Sequence, residues 1–340
     1  MDSLFAGASI MSEPPKRKYK FTGETMEWEG RILHRIRRVS DGALGGWIEK
    51  ESNLSQDGDC WVSGDAKVYD NAKVSQNARV RDKAQVYCDA NVFGNAQVSG
   101  YAQVYEKAEV FTRAQVLNHA KVYGEAEISG DVKIFDSACV FDYAEVYNDA
   151  KIYEHAKVYG SAKVYGKALV YGDSQVYGFA IVYDHAKIHG YAKVYNEARV
   201  CGIAKIWDDA QVYNKAYIFD NAKICGDARV YGDAEVSMDA QVFGNARVCG
   251  NAKVYGSVRI YENAKVYAKA NIHGNAEIAG NAEVFDDAEV SDGAMICDDA
   301  KVYGNACVYD EVLVCDNASV YGNAKIHNND KVFGNAHIFH

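Results

Sequence analysis

Nine histidines and nine cysteines are the residues of this 340-residue chain best suited to carry a proton, a nucleophile or a metal. His185 and His189, four positions apart, are the candidate pair for general-base chemistry on a bound hydroxyl or amine, which needs a base within hydrogen-bond reach and a pocket that limits water. The blander reading of the same pair is two exposed histidines. The remaining histidines do not recur at spacings that would converge three ligands on a catalytic zinc. Cys297 and Cys315 lie eighteen residues apart, but two thiols are too few for a zinc site. The odd cysteine count, the irregular spacing and the lack of a CxxC pair argue against a disulfide framework and for reduced thiols in a cytoplasmic protein. Phosphate-loop, Ser-His-Asp and EF-hand patterns are absent, so no cofactor and no metal are expected.

These side chains sit on a strict repeat. Every sixth residue from Val62 to Ile338, 47 positions in all, is Val or Ile. Four residues after each stands Ala almost without exception, the departures being Val132, Ser174, Val258, Val312 and Asp330. The unit Ala-x-Val-x alternates as a short strand does, with Ala and Val on one side and both x residues on the other. The two residues that follow, commonly Gly-Asn, Asp-Asn or Gly-Asp, suit a sharp corner because Gly, Asn and Asp tolerate the left-handed backbone region. So short a strand cannot bury its apolar side alone, and the unit must close on itself and stack in parallel on the next turn. Val62, Val68, Val164 and Ile338 stand for this structural row. In this frame His119, His155 and His185 fall at corners, whereas His189, His273 and His327 fall on outward strand sites, where solvated repeat variants are the simpler account.

A second period fixes the coil. The residue after Val or Ile, taken every eighteen positions from Tyr69 to Tyr321, gives fifteen sites, of which twelve are Tyr and two are Phe141 and Phe285; Cys249 alone breaks the column. The two sibling columns are mixed, so three hexapeptides make one triangular coil with three unlike faces. With about 4.8 Å between coils the repeat reads as a rod roughly 75 Å long.

The motif "VYGNAK" beginning at Val302 resembles the hexapeptide repeat of the left-handed parallel β-helix superfamily, and "GGWIEKESNLSQDGDCWV", Gly45 to Val62, resembles the entrance segment of bacterial YdcK-like transferase-hexapeptide proteins. The resemblance implies an all-β, single-stranded left-handed parallel β-helix of about 15 coils with a small N-terminal β cap. Its left hand comes from the resemblance, since ordinary strand crossovers favour the right. The superfamily includes acyltransferases, nucleotidyltransferase domains, carbonic anhydrases and structural proteins. Its acyltransferases commonly place a His at a cleft between subunits, with loops projecting from the coil, and the unbroken six-residue step leaves no room for such a loop.

The expected organisation is a flexible N-terminal segment over 1–18, a β cap and lead-in over 19–59, and the repeat over 60–340. Met11 is an alternative start. Within the cap, "YKFTGETMEWEGRILHRIRRV" alternates as two or three strands, and "SDGALGGWIEKESNLSQDG" reads as loop and lead-in. Arg31, Arg35, Arg37 and Arg38 read as a solvated strand face or an interface. The opening residues lack a basic segment before a short apolar stretch, and no stretch is long enough to span a membrane.

The surface that departs most from chance is the tyrosine column. The outward residue two before each ring is basic or amide at most coils, including Lys157 and Lys193, with Glu283 as the one acid, although the chain carries a formal charge of -10. One account is a packed ladder of rings shielded by lysine stems. The other is a recognition surface in which Tyr159, Tyr177, Tyr195 and Tyr213, with Lys157 and Lys193, meet another copy of the chain, a different protein or an acidic glycan. Bases would also stack on such rings, but the acidic corners oppose a long nucleic acid. The sequence thus reads as a non-catalytic scaffold or binding protein that self-associates, with an acyltransferase-like enzyme sited at a subunit interface as the alternative.

Overall fold

The computed structural model describes residues 17–340. The segment read as flexible lies outside them except for its last two residues, as does Met11. From Trp61 onward each hexapeptide contributes a strand of two or three residues, and strands eighteen residues apart pair in parallel, as Lys157–Val158 does with Gln175–Val176. The result is an all-β, single-stranded left-handed parallel β-helix of about 16 coils with an N-terminal cap. Its three sheets are here called the tyrosine face (Lys67–Val68 onward), the second face (Lys73–Val74 onward) and the third face (Trp61–Val62, then Arg79–Val80 onward), in the order the chain visits them within a coil.

The core is the column of Ala and Val or Ile side chains, with Val62, Val68 and Val164 fully buried. Burying each Val contributes on the order of 1.5–3 kcal/mol, so cohesion accumulates along the rod instead of around a centre. The exceptions among the small residues are accommodated locally. Buried Ser174 donates its hydroxyl hydrogen to the Tyr171 carbonyl at 2.8 Å, which removes the cost of an unpaired polar group. Asp330 occupies an Ala position but lies exposed, so its carboxylate keeps its water. Ile338, at the end of the Val row, is only partly buried against the core.

The first corner residue of each hexapeptide holds a left-handed conformation, as at Gly160 with φ +68°. Adding a Cβ there would meet the backbone nitrogen of Gly178, one coil on, at 2.9 Å. Corners that carry a side chain turn it to use: the Asp142 carboxylate accepts from the Gly160 N–H at 3.1 Å, and Glu154 does the same for Gly172 at 2.8 Å. Asparagine side chains continue the ladder at the second corner position, as Asn245 donates to Asn263 and Asn263 to Asn281, each at 3.2 Å. Much of the chain's acidic charge is thereby tied to coil stacking.

The cap is built differently from the loop-and-lead-in reading. Strands β1 (Tyr19–Trp28) and β2 (Arg31–Arg38) form an antiparallel hairpin, and Leu44–Ile48, expected as loop, is a third strand, β3. β3 runs antiparallel to β2 on one side and parallel to Lys67–Val68 on the other. It therefore converts an antiparallel hairpin into the first rung of the parallel tyrosine sheet and covers that sheet's open edge. Arg37 is exposed, but the other three arginines are not a solvated face. Arg31 bonds Asp70 through Nε at 2.7 Å and lies over the Tyr69 ring, Arg35 stacks over Trp47, and Arg38 stacks over Trp61 with its guanidinium 4.4 Å from the ring centre.

Because each coil touches only its neighbours, a chain ending at residue 286 should keep its β-helix, with circular dichroism per residue close to that of the full rod. Val164→Asp, which puts a charge in the apolar prism, should instead cost on the order of 4–5 kcal/mol. Limited proteolysis should then cut first in the coils around residue 164, and protection there equal to that of the parent chain would contradict this packing.

Candidate functional site

The strand-to-strand register lines up every outward side chain with its equivalents one coil away, so a site on this rod is a column. On the tyrosine face the rings from Tyr69 to Tyr231 form one continuous stack through Phe141. Tyr159, Tyr177, Tyr195 and Tyr213 follow one another with centroids 4.8–4.9 Å apart and planes within a few degrees of parallel. At several coils the outward strand residue of the next coil is an acceptor that the tyrosine hydroxyl bonds: Tyr159 donates to Gln175 at 3.1 Å, Tyr195 to Gln211 at 3.3 Å and Tyr267 to Glu283 at 3.3 Å. Glu283, the one acid in the adjoining column, lies between Lys265 at 2.9 Å and Lys301 at 4.0 Å, and bonding to Lys265 holds its carboxyl below the usual range. Lys157 is exposed and Lys193 half-buried.

The corners beside this stack carry aromatic side chains that the ladder does not use. Tyr143 and Phe179 project from the corner leading to the second face, 62% and 67% exposed, and Tyr191 from the corner arriving from the third face, 60% exposed. These three bracket the segment of stack that runs from Phe141 to Tyr195. The sequence signal for them was present, since aromatics replace the usual Asn or Asp at those corners, but it shows only once the corners are placed beside the column.

The other two faces differ in charge. On the second face Glu109, Glu127 and Glu145 stand in one column, with Glu145 paired to Lys163 at 2.9 Å. The third face presents Lys187, Lys205, Lys223 and Arg259 in its strand column, with Gln241 between the last two. Here His189 stacks between Tyr171 at 4.7 Å and Trp207 at 6.1 Å. Burial lowers its pKa, Lys187 and Lys205 adding to that effect and Asp208 opposing it, so the ring is neutral near pH 7. His185 stands exposed at the preceding corner. His189 is thus a member of an aromatic ladder and His185 a corner residue, and every connection around them is a two-residue turn that builds no enclosing loop.

Cys297 and Cys315, expected as reduced outward thiols, form a disulfide between adjacent coils. The parallel register brings their Cα atoms to 4.7 Å, within the range a disulfide spans, so the eighteen-residue spacing was itself the missed signal. Asp298 lies beside this pair. The other seven cysteines are unpaired.

With these columns in view, the chain is a β-solenoid of hexapeptide repeats. A family model described as YdcK Beta solenoid repeat matches residues 240–256 and again, one hexapeptide on, residues 246–262. The relation to YdcK-like proteins is a distant one at the level of the repeated fold. No curated protein matches the chain. No helix of the described residues is long and apolar enough to cross a membrane.

Burial pushes the ladder hydroxyls upward: Tyr267 reaches about 12, with the Glu283 charge and hydrogen bond adding to desolvation, and Tyr69 also reaches about 12. A folded-state pKa above the unfolded value of roughly 10 stabilises fully below pH 10 and is lost as pH rises through 12. Absorbance at 295 nm should therefore show a set of tyrosines, Tyr69 and Tyr267 among them, ionising well above pH 10, together with loss of the β circular-dichroism signal. Ionisation of every tyrosine near 10 with the fold intact would contradict the stacked, hydrogen-bonded ladder.

Proposed function

We propose that this chain is a non-catalytic β-helical scaffold that self-associates through its tyrosine face, with a second copy of the same chain as the partner. The observation that carries the reading is the set of exposed aromatics, Tyr143, Phe179 and Tyr191, bracketing an aromatic stack already complete without them. A ladder needs rings only in register; rings left wet at its margins have a reason if another surface covers them. Tyrosine supplies large contact area with little side-chain entropy to lose, and the lysine stems around it extend the apolar patch while keeping their charges at its rim. Lys157 and Lys193 hold the electrostatic part of this surface, and an acidic glycan or an acidic protein is the heterologous ligand that the same chemistry would accept. The regular two-residue corners support the absence of catalysis, because they raise no wall around His185 or His189. A cytoplasmic location is part of the proposal and rests on the predominance of unpaired cysteines.

Replacing Tyr159, Tyr177, Tyr195 and Tyr213 together by Ser should leave the inward Val and Ala rows intact and lower the mass seen by analytical ultracentrifugation, with circular dichroism verifying retained β structure. Charge reversal at Lys157 and Lys193 should make the residual association salt-sensitive in the opposite sense. An unchanged oligomer in the folded quadruple variant would reduce the column to a stabilising ladder and overturn the proposal. The enzyme alternative has its own readout: acyl transfer from acyl-coenzyme A to sugar or amine acceptors should be absent, and a turnover abolished by both His185→Ala and His189→Ala would contradict the scaffold reading.

A further inference from the structure

Between Phe135 and Tyr261 the aromatic ladder of the third face is interrupted at one coil. His189 and Trp207 stack above the break and Phe243 and Tyr261 below it, the latter two with centroids 5.0 Å apart. Between them the column holds Cys225, whose side chain is far shorter than a ring. Trp207 and Phe243 are two coils apart, which places them roughly 9.5 Å from each other, twice the spacing of a stacked pair in this protein. Over Cys225 lies an open groove of about 520 Å³, within the size range of small-molecule sites.

A ring-to-cysteine replacement does not leave a hole of necessity. On the second face Cys201 interrupts the ladder between Tyr183 and Phe219, and there Tyr217 leans across the gap. Tyr217 stacks on Phe219 at 4.5 Å, its hydroxyl lies 3.5 Å from that of Tyr183, and the Cys201 thiol donates to it at 3.5 Å. At Cys225 the equivalent strand position, sixteen residues on, is Gln241, which cannot stand in for a ring. The gap therefore stays vacant, and its walls are basic: Lys205, Lys223 and Arg259 line it. No ion pair of the described residues involves Lys205 or Lys223. Arg259 bonds Glu277 at 3.2 Å while lying over Phe243 and Tyr261. Asp208, whose charge acts on Cys225, is engaged at its corner, where it accepts from the Gly226 N–H at 3.2 Å.

We infer that this groove binds a planar aromatic anion, its ring completing the ladder between Trp207 and Phe243 and its carboxylate, sulfonate or phosphate meeting Lys205 and Lys223. Two independent features define the ligand class. The vacancy is one ring wide in the stacking direction, which selects a flat π system, and the neighbouring ammonium groups lack carboxylate partners, which selects negative charge. The site is separate from the tyrosine face and does not depend on self-association.

The chain has four tryptophans, of which Trp207 alone lies outside the cap and first coil, so fluorine NMR of 5-fluorotryptophan-labelled protein reports the groove through one resonance, identified by its loss in Trp207→Phe. The probe is 2-naphthoate, expected to shift that resonance with a Kd on the order of 1 mM, as befits a fragment-sized ligand. Cys225→Phe fills the vacancy with the side chain the ladder lacks; it should abolish the shift while leaving circular dichroism and Tm at or above parent values. Cys225→Ala keeps the gap and should bind as the parent does. The double variant Lys205→Gln, Lys223→Gln should weaken binding roughly fivefold, as should replacing the probe by neutral 2-naphthylmethanol, and cyclohexanecarboxylate should leave Trp207 unmoved. Undiminished naphthoate binding in folded Cys225→Phe, or no Trp207 shift at ten times the expected Kd, would overturn the site. Equal binding of the neutral alcohol would overturn its assignment to an anion.

Discussion

The backbone ladder between residues eighteen apart in sequence is the constraint from which the remaining features follow. In most hexapeptides the outward strand residue, the ring residue and the second corner residue donate to carbonyls one coil on: Lys157 N–H to Ser174, Tyr159 N–H to Val176 and Ser161 N–H to Gly178, at 2.7–3.0 Å. Three such bonds per six residues leave few backbone groups without a partner, and they admit no slippage, because a shift of one residue would turn the Val row outward. The left-handed corner is the cost of this register. Thr112, Met238 and Ala268 accept positive φ at corner positions, a strain of roughly 1–2 kcal/mol for an ordinary side chain, because the bonds on either side fix the chain there.

Once the register is fixed, any residue type repeated at eighteen becomes a physical column at stacking distance. Rings stack on rings, asparagines donate to asparagines, and corner carboxylates accept from the N–H of the next corner. The same rule makes a departure informative. A cysteine within a ring column leaves a gap that is filled by Tyr217 at Cys201 and left open between lysines at Cys225. It also turns two cysteines at the column spacing into a disulfide, as at Cys297 and Cys315. Like charges brought into one column, such as Lys187, Lys205 and Lys223, repel one another, so a face that keeps them without carboxylate partners holds them at an energetic cost that an anion would relieve.

The rod was legible in the sequence because one residue class, Val or Ile, occupies every sixth position from Val62 to Ile338, and its triangular section because Tyr69 to Tyr321 repeat every third time. Features that depend on contacts across columns were harder to see. β3 escaped because Leu44–Ile48 contains two glycines and reads as a turn; its strand character comes from pairing with both β2 and the first coil. Arg35 and Arg38 looked solvated because the tryptophans that receive them, Trp47 and Trp61, lie in other segments. The groove at Cys225 was hidden by the mixed composition of its column, in which a missing ring stands out only after its neighbours are stacked. His185 and His189 seemed a pair by sequence distance, yet one is an exposed corner and the other is held between two aromatic rings.

Stability in this rod is one-dimensional, passed from coil to coil and anchored by the cap. Hydrogen exchange followed by mass spectrometry tests it most directly, because every ladder amide reports the coil above it. The predicted result is graded: slow exchange in coils next to β3 and through the middle of the rod, and progressively faster exchange over the coils toward His340, where Asp330 is exposed and Ile338 only partly buried. A single cooperative exchange rate shared by the coil after the cap and the coil before the C-terminus would contradict it.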